Sequence, residues 1–566
     1  MRRKGIPVIV ALVLIVIVAV VVFGSRLLEK YSYSKEVVDL DEYYGVEEGE
    51  LAILLQNDMI SDRAYVRDGR IYFELNTVKT YLNEGFYADR NEQKILYTTA
   101  LDTATAVFGA REYTDGAGGH ALEYEACFAE GDGIFLAADY VKRFTNYSWL
   151  AFERHLQVYT EWGTKQTMEV TKDTQVRLEG GIKSPILREA EAGETVEVLE
   201  QGEDWSLVKT SDSVIGYLEN KRLDNLQTVT EEPVRDYVEE EYTSVRLPQK
   251  VSLGFHSIGG EGGNSTLDAM LADGNCINVI APTWFSLTDN EGNFRSFASA
   301  WYVESAHARG LQVWGVWDNF NYRNETGADV SAYEVLSSTT KRQKLVQDMV
   351  DTSLGLKLDG INIDFEGLKV DCGEHYIQFL KELSVLCRGS GLILSVDNYV
   401  PLNFNDYYRL DIQGKILDYC IIMGYDEHWH GSGDPGSVAS IEYVSKGLDR
   451  TLEQVPAEKV VNALPFYMIL WKTEGTTVTD EYVTLNHLAD FLQSQNIKLQ
   501  WDETTCQNYG EWNSGTALYQ IWAEDEESIA VKLNVMNARN IGGVAVWRLG
   551  YGTPAAWDLI RAYGSL

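Results

Sequence analysis

The sequence is poor in cysteine, and its six cysteines (Cys127, Cys276, Cys372, Cys387, Cys420 and Cys506) show no C-x-x-C spacing. That pattern indicates no thiolate metal site, and no metal is expected. Cys372 and Cys387 flank or lie within one helical segment, whose ends are too far apart for a disulfide, so unpaired buried thiols are the plainer reading. Basic residues are also scarce, 48 against 85 acidic ones, for a formal charge of −37. A broad nucleic-acid interface needs Lys and Arg to neutralise phosphates, so no nucleic-acid partner is expected. Nor is there a glycine-rich phosphate loop after an early strand: "SIGGEGG" at Ser257–Gly263 lacks the spacing, which argues against a doubly wound nucleotide-binding sheet.

Hydrophobic residues make up 45% of the 566 positions, enough for most of the chain to offset its ordering entropy by burial. The length predicts three or four domains. Ile6–Phe23 is an unbroken apolar run behind Arg2, Arg3 and Lys4. As a helix it would be ~27 Å long, enough to cross a bilayer core. It lacks a small-x-small cleavage site. Residues 1–30 are therefore read as a cytoplasmic stub and an uncleaved single-pass signal anchor, in the membrane through residues 6–24, with everything after Arg26 outside.

Residues 31–165 contain a weak internal repeat: "DGRIYFELNTVKTYL" from Asp68 is echoed by "DGIFLAADYVKRF" from Asp132. Each reads as a turn, a strand and a short helix. This region resembles the copper amine oxidase N-terminal type of α+β module. No histidine cluster for copper accompanies it, so the resemblance implies a spacer or binding role. Residues 166–227 alternate as short strands around "GETVEVLEQGEDWSLVKT" and "SVIGYLENKRL", and resemble a bacterial SH3 domain, a family whose modules often contact cell-wall peptides. Trp205 is read as filling the core of this small barrel. Residues 228–247, "TEEPVRDYVEEEY" within them, are charged and form the linker.

Residues 248–566 carry eight β-rich runs, beginning near Val251, Ile277, Leu311, Gly360, Leu392, Leu417, Val460 and Gly542, with amphipathic segments between them. The alternation predicts an α/β chain built on a (β/α)8 TIM barrel with insertions, its site at the C-terminal strand ends. In the fourth run, "LDGINIDFEGL", side chains alternate across the strand. Ile361, Ile363 and Phe365 should face the helices, and Asn362, Asp364 and Glu366 the interior. Burying two carboxyls in a core is too costly for a purely structural role unless they share protons or hydrogen bonds. Repulsion between them should raise proton affinity, leaving Glu366, nearest the mouth, as a general acid.

This run resembles the D-x-x-D-x-D-x-E signature of glycoside hydrolase family 18, the chitinase family, through Asp359, Asp364 and Glu366; Asn362 stands at the second aspartate position. "MGYD" matches a further motif through Met423, Tyr425 and Asp426. Trp547 in "GGVAVWRLG" matches the tryptophan that floors the sugar site, and "LPFY" with Tyr467 is similar to the strand-seven segment. The resemblance implies hydrolysis of N-acetylglucosamine polymers without a cofactor, with Glu366, Asp364 and Tyr425 catalytic. Asp359, Asn362, Met423, Asp426, Trp547 and Tyr467 would serve binding, and Trp284, an aromatic near a strand end, is read either as stacking on a sugar face or as ordinary packing. The strand-three text "VWGVWDNF" and the C-terminal segment from Tyr519 look closer to the bacterial branch associated with spore cortex and cell-wall lysis. Peptidoglycan is then the first expected partner, and chitin or chito-oligosaccharides the second. A catalytically silent carbohydrate-binding barrel is the rival of another class, and a scaffold with an incidental barrel is a third.

Overall fold

The computed structural model describes residues 6–232, 237–272, 274 and 276–564, in two compact units. Arg2, Arg3 and Lys4, and Pro233–Asp236 of the expected linker, lie outside the described residues.

The first unit begins with the helix Ile6–Tyr31. It is the single described helix long and apolar enough to cross a membrane. The two copies of the repeat behave alike: strand Arg70–Glu74 runs into the helical stretch Leu75–Leu82, and strand Gly133–Ala137 into Ala138–Phe144. Their strands pair antiparallel, Phe135 opposite Glu74, as the fifth and sixth of a seven-stranded sheet. Asp68 and Gly69 both take left-handed φ, 50° and 73°, in the turn that opens the first copy. A primed hairpin turn requires that conformation at both central residues.

A second seven-stranded sheet follows, with Thr195–Glu200, Trp205–Lys209 and Ile215–Glu219 as successive antiparallel neighbours. Val170, Val176, Leu187, Val196, Val208 and Leu218 form its core. Trp205 differs from the expectation: it is half-buried at the start of its strand and lies outside that core. The alternation of the strand itself puts Val208, not Trp205, on the fully buried face.

The second unit holds the barrel. Its strands are β1 (Val251–His256), β2 (Val279–Leu287), β3 (Gln312–Asp318), β4 (Gly360–Asp364), β5 (Ile393–Tyr399), β6 (Tyr419–Met423), β7 (Val460–Pro465) and β8 (Gly543–Trp547). Each pairs parallel with the next, and β8 pairs with β1, so the sheet closes. Closure needs continuous apolar strands because side chains fill the inside and helices cover the outside, and these strands are buried almost throughout. Gly360 is required where β4 meets its neighbours, because a Cβ there would stand 2.8 Å from the Ile393 carbonyl oxygen.

Between β7 and β8 the chain builds a five-stranded antiparallel sheet (Tyr467–Asp502 and Gln507–Ala523) with the helix Leu485–Gln495. The unit also takes in Tyr87–Thr105 and Thr114–Gly119, stretches that fall within the α+β module of the sequence reading. Asp89 Oδ2 accepts hydrogen bonds from Thr339 N and Oγ1, both 2.7 Å. Glu92 accepts from Ser338 Oγ, Thr340 N and Thr340 Oγ1. These carboxylates satisfy the otherwise orphaned donors at the start of the helix Thr339–Leu356. Just inside it, Arg342 makes a buried two-point ion pair with Glu382 of the helix Gly373–Ser390.

Candidate active site

Strand β4 does what its alternation predicts. Ile361, Ile363 and Phe365 are buried towards the helices, Phe365 stacking on Phe379 at 5.5 Å. Asn362 lies inside the barrel, where its Nδ2 donates to Ser395 Oγ and Asp397 Oδ1 of β5, both at 3.0 Å. Asp364 and Glu366 rise above it into one cavity of about 350 Å³, shared with Asp397, Tyr399, Met423, Tyr425, Asp426, Tyr467, Trp547 and Arg548.

Glu366 is held at several points. Asn319, just past β3, accepts from the Glu366 N–H at 2.8 Å and donates to its carbonyl at 2.9 Å, clamping the backbone. Tyr399 Oη donates to Glu366 Oε2 at 2.8 Å. Burial raises the proton affinity of Glu366; the Tyr399 hydrogen bond opposes this, and the charges of Asp426 and Asp318 reinforce it. Asp364 is raised further, first by burial and then by Glu366, Asp397 and Asp318. Asp397 is pushed up to about 8 by burial against the Asn362 hydrogen bond, with Glu366 adding repulsion. Burial also raises Asp426, against the hydrogen bond from Tyr467.

Such a cluster keeps a proton near neutral pH on a group that ordinarily loses it near pH 4. An acid over a partly protonated carboxyl, beside the buried Tyr425 hydroxyl, can protonate a leaving oxygen and take a proton back. Among the described residues no group of three or more His, Cys, Asp or Glu is arranged to hold a metal ion.

Two expected binding residues are elsewhere, and those expectations are corrected. Asp359 precedes β4 at the opposite end of the barrel, where its Oδ2 accepts from Val313 N and pairs with His307 Nε2, each at 2.8 Å. Its place in the motif ties strand bases together and does not reach the mouth. Trp284 is buried, donates from Nε1 to Asn264 Oδ1 at 2.9 Å, and is absent from the walls of this cavity. Asn362 sits below the cavity wall and hydrogen-bonds Asp397, which lines it. Asp397, Asn319 and Arg548 were not anticipated, nor was the hydrogen bond from Tyr399 to Glu366. The signal for Asp397 was available: "ILSVDNY" alternates as β4 does, bringing Ser395 and Asp397 inward.

Residues 326–552 match the profile of glycosyl hydrolases family 18, and residues 172–224 that of the bacterial SH3 domain. The barrel is a glycoside hydrolase family 18 domain. A "Cortical fragment-lytic enzyme" of Bacillus anthracis is 26% identical over 237 residues, 40% of this chain and 54% of that protein. The "Uncharacterized glycosylase YvbX" of Bacillus subtilis is 25% identical over 296 residues, 50% and 84% of the two chains. The chain therefore spans about half the length of the first of these relatives. The crystal structure of the Bacillus cereus spore cortex-lytic enzyme SleL shares the fold, with a TM-score of 0.50 and 21% identity, over 59% of this chain and 78% of that one. In this family 18 domain, Glu366 is the residue that the Asn319 clamp and Tyr399 fix at the cavity wall.

Proposed function

We propose that this chain is a membrane-anchored, outward-facing glycosidase that cleaves β-1,4 bonds in N-acetylglucosamine-containing polymers, peptidoglycan first, by substrate-assisted retaining catalysis. The observation that carries the reading is the convergence of Glu366, Asp364 and Tyr425 on one cavity. Glu366 gives its proton to the glycosidic oxygen as the bond from C1 to that oxygen breaks. The sugar's own 2-acetamido oxygen closes on C1, giving an oxazolinium intermediate. Asp364 accepts the acetamido N–H, and its negative charge balances the ring; Tyr425 donates to the acetamido oxygen and holds it for attack. Glu366, now a carboxylate, takes a proton from water as water opens the intermediate with retained configuration. The nucleophile comes from substrate, so an N-acetyl group is required at the cleaved residue and no cofactor is needed.

Three further features favour wall glycan over chitin. The helix Ile6–Tyr31 suits an anchor. The SH3 match suits a wall-facing protein. Arg548 is the sole cation among the described lining residues of the cavity; its Nη2 donates to Tyr551 Oη at 2.6 Å, and no described carboxylate lies within ion-pair distance of it. An arginine without a carboxylate partner suits a glycan that brings its own, as the lactyl ether of muramic acid does.

The test is the full-length chain incubated with peptidoglycan and with chito-oligosaccharides beside a Glu366→Gln control, with new reducing ends read by mass spectrometry. Products from wild type alone support the enzyme. Glycan binding without products from either protein would replace it with the carbohydrate-binding reading.

A further inference from the structure

At the rim of the barrel, three neighbouring strands each present an aspartate at one level. Asp318 of β3 pairs with Asp364 of β4. Ile363 of β4 pairs with Val396 of β5, and the parallel register carries the next step to Asp364 and Asp397. Three carboxyls side by side in a barrel interior cannot all be ionised.

The hydrogen bonds show how the charge is divided. Asp318 is supplied with four donors: its Oδ1 accepts from Ser286 Oγ, Phe320 N and Asn321 N, and its Oδ2 from Asn321 Nδ2. Asp397 Oδ1 accepts from Asn362 Nδ2. Asp364 Oδ1 is buried with no hydrogen-bond partner among the described residues. A buried carboxyl oxygen without a donor is costly, and a proton from the adjacent acid is the available remedy.

We infer that Asp397 is a positioning residue for the reaction: it retains one proton and donates it to Asp364 Oδ1, so that the other Asp364 oxygen stays ionised towards the sugar amide. Only a proton is shared, and no covalent bond between heavy atoms changes. The fourth strand carries Asn362 where a carboxyl would otherwise sit below Asp364; here the second carboxyl comes from the fifth strand, and Asn362 orients it. The titratable groups facing Asp397 are Asp364 and Glu366 from β4, Tyr425 beyond β6 and Tyr376 of the helix Gly373–Ser390, with Asp318 behind Asp364. Arg548, the one cation among the described lining residues of the same cavity, bonds Tyr551 and has no described carboxylate within ion-pair distance, so a proton is the means of neutralising the pair. The proton affinities of both Asp364 and Asp397 are raised, as a pair that keeps one proton between them requires.

This inference rests on the hydrolase reading, and its test separates the two. The full-length chain is compared with Asp397→Ala, Asp397→Asn and the exchange Asn362→Asp/Asp397→Asn, following kcat and KM against pH. A carboxyl that shares its neighbour's proton ionises more readily at its first step than a lone one, as paired carboxyls do. Asp397→Ala should therefore lose roughly tenfold or more in kcat, with a smaller change in KM, and its acid limb should move up by about one pH unit. Asp397→Asn keeps a donor to Asp364, so its acid limb should stay near wild type. The exchange should recover kcat over Asp397→Ala.

An acid limb that stays in place in Asp397→Ala while kcat falls would mean a packing role only and would overturn the inference. Wild type that yields no product would instead overturn the hydrolase reading. In that event the pair is judged by infrared spectroscopy in a Glu366→Gln background at pH 7. The protonated-carboxyl band should be present and should vanish on adding Asp397→Asn; persistence of the band, or its absence from the outset, would overturn the pair.

Discussion

Tyr399 Oη donates to Glu366 Oε2 at 2.8 Å, while Asn319 grips the Glu366 backbone from the other side. The acid is thus oriented by residues from β5 and from the end of β3, and one of these contacts also tunes its proton affinity. A hydrogen bond to the ionised form favours that form. Removing the hydroxyl with Tyr399→Phe should raise the Glu366 pKa, so the alkaline limb of kcat should move upward by about one pH unit, given that hydrogen bonds to charged groups contribute ~1.5–3 kcal/mol and one unit is ~1.4 kcal/mol. A pH–rate profile with the limb unmoved or shifted downward would show that Tyr399 does not control the acid.

Glu366→Gln should reduce kcat by about 10²- to 10⁴-fold, the usual contribution of a positioned general acid. It should leave the thermal midpoint at neutral pH no lower than wild type, because it removes a buried carboxyl from a cluster of like charges. Kinetics and calorimetry on one preparation check both halves.

The carboxyl cluster should also appear in the pH dependence of stability. Asp397 has a folded-state pKa raised to about 8. A raised carboxyl contributes stability that is fully present below its unfolded value, near 4, and is lost as pH rises through the folded value. Asp397→Asn cannot ionise, so its melting temperature should gain on wild type steadily from pH 4 to pH 8. A constant difference across that window would contradict the proton assignment.

Asp89 and Glu92 reach the start of the helix Thr339–Leu356 from some 250 residues earlier in the chain. Asp89→Ala would leave Thr339 N and Oγ1 buried without an acceptor, and should destabilise the barrel unit by about 1–3 kcal/mol in denaturant titration. Glu92 behaves in the opposite sense to Asp397: hydrogen bonds from Lys94, Thr340 and Ser338 outweigh burial and hold it at about 2. Its contribution is present above the unfolded value and is lost as pH falls towards 2. A Glu92→Gln variant should therefore match wild type most closely at the acid end of the titration.

Arg548→Gln should weaken kcat/KM on peptidoglycan about tenfold more than on chito-oligosaccharides, the scale of one charge-assisted contact. Competition assays with both substrates measure that ratio directly. Equal losses would remove Arg548 from substrate selection.

The order of strands, the inward line of Asn362, Asp364 and Glu366, and the presence of Tyr425, Asp426, Tyr467 and Trp547 in one neighbourhood were legible from residue alternation and motif order. Both are local properties: a strand's period of two dictates which side chains share a face. Asp397, Asn319 and Tyr399 became partners of those residues only through register between strands that are 30 to 50 positions apart, and the spacing within one segment carries no information about that register. Asp359 shows the converse, a motif residue that the length of its strand places at the wrong end of the barrel. The packing of Tyr87–Thr105 with the barrel was equally invisible, because a helix start accepts any suitably placed carboxylate, and only the folded chain decides which segment supplies it.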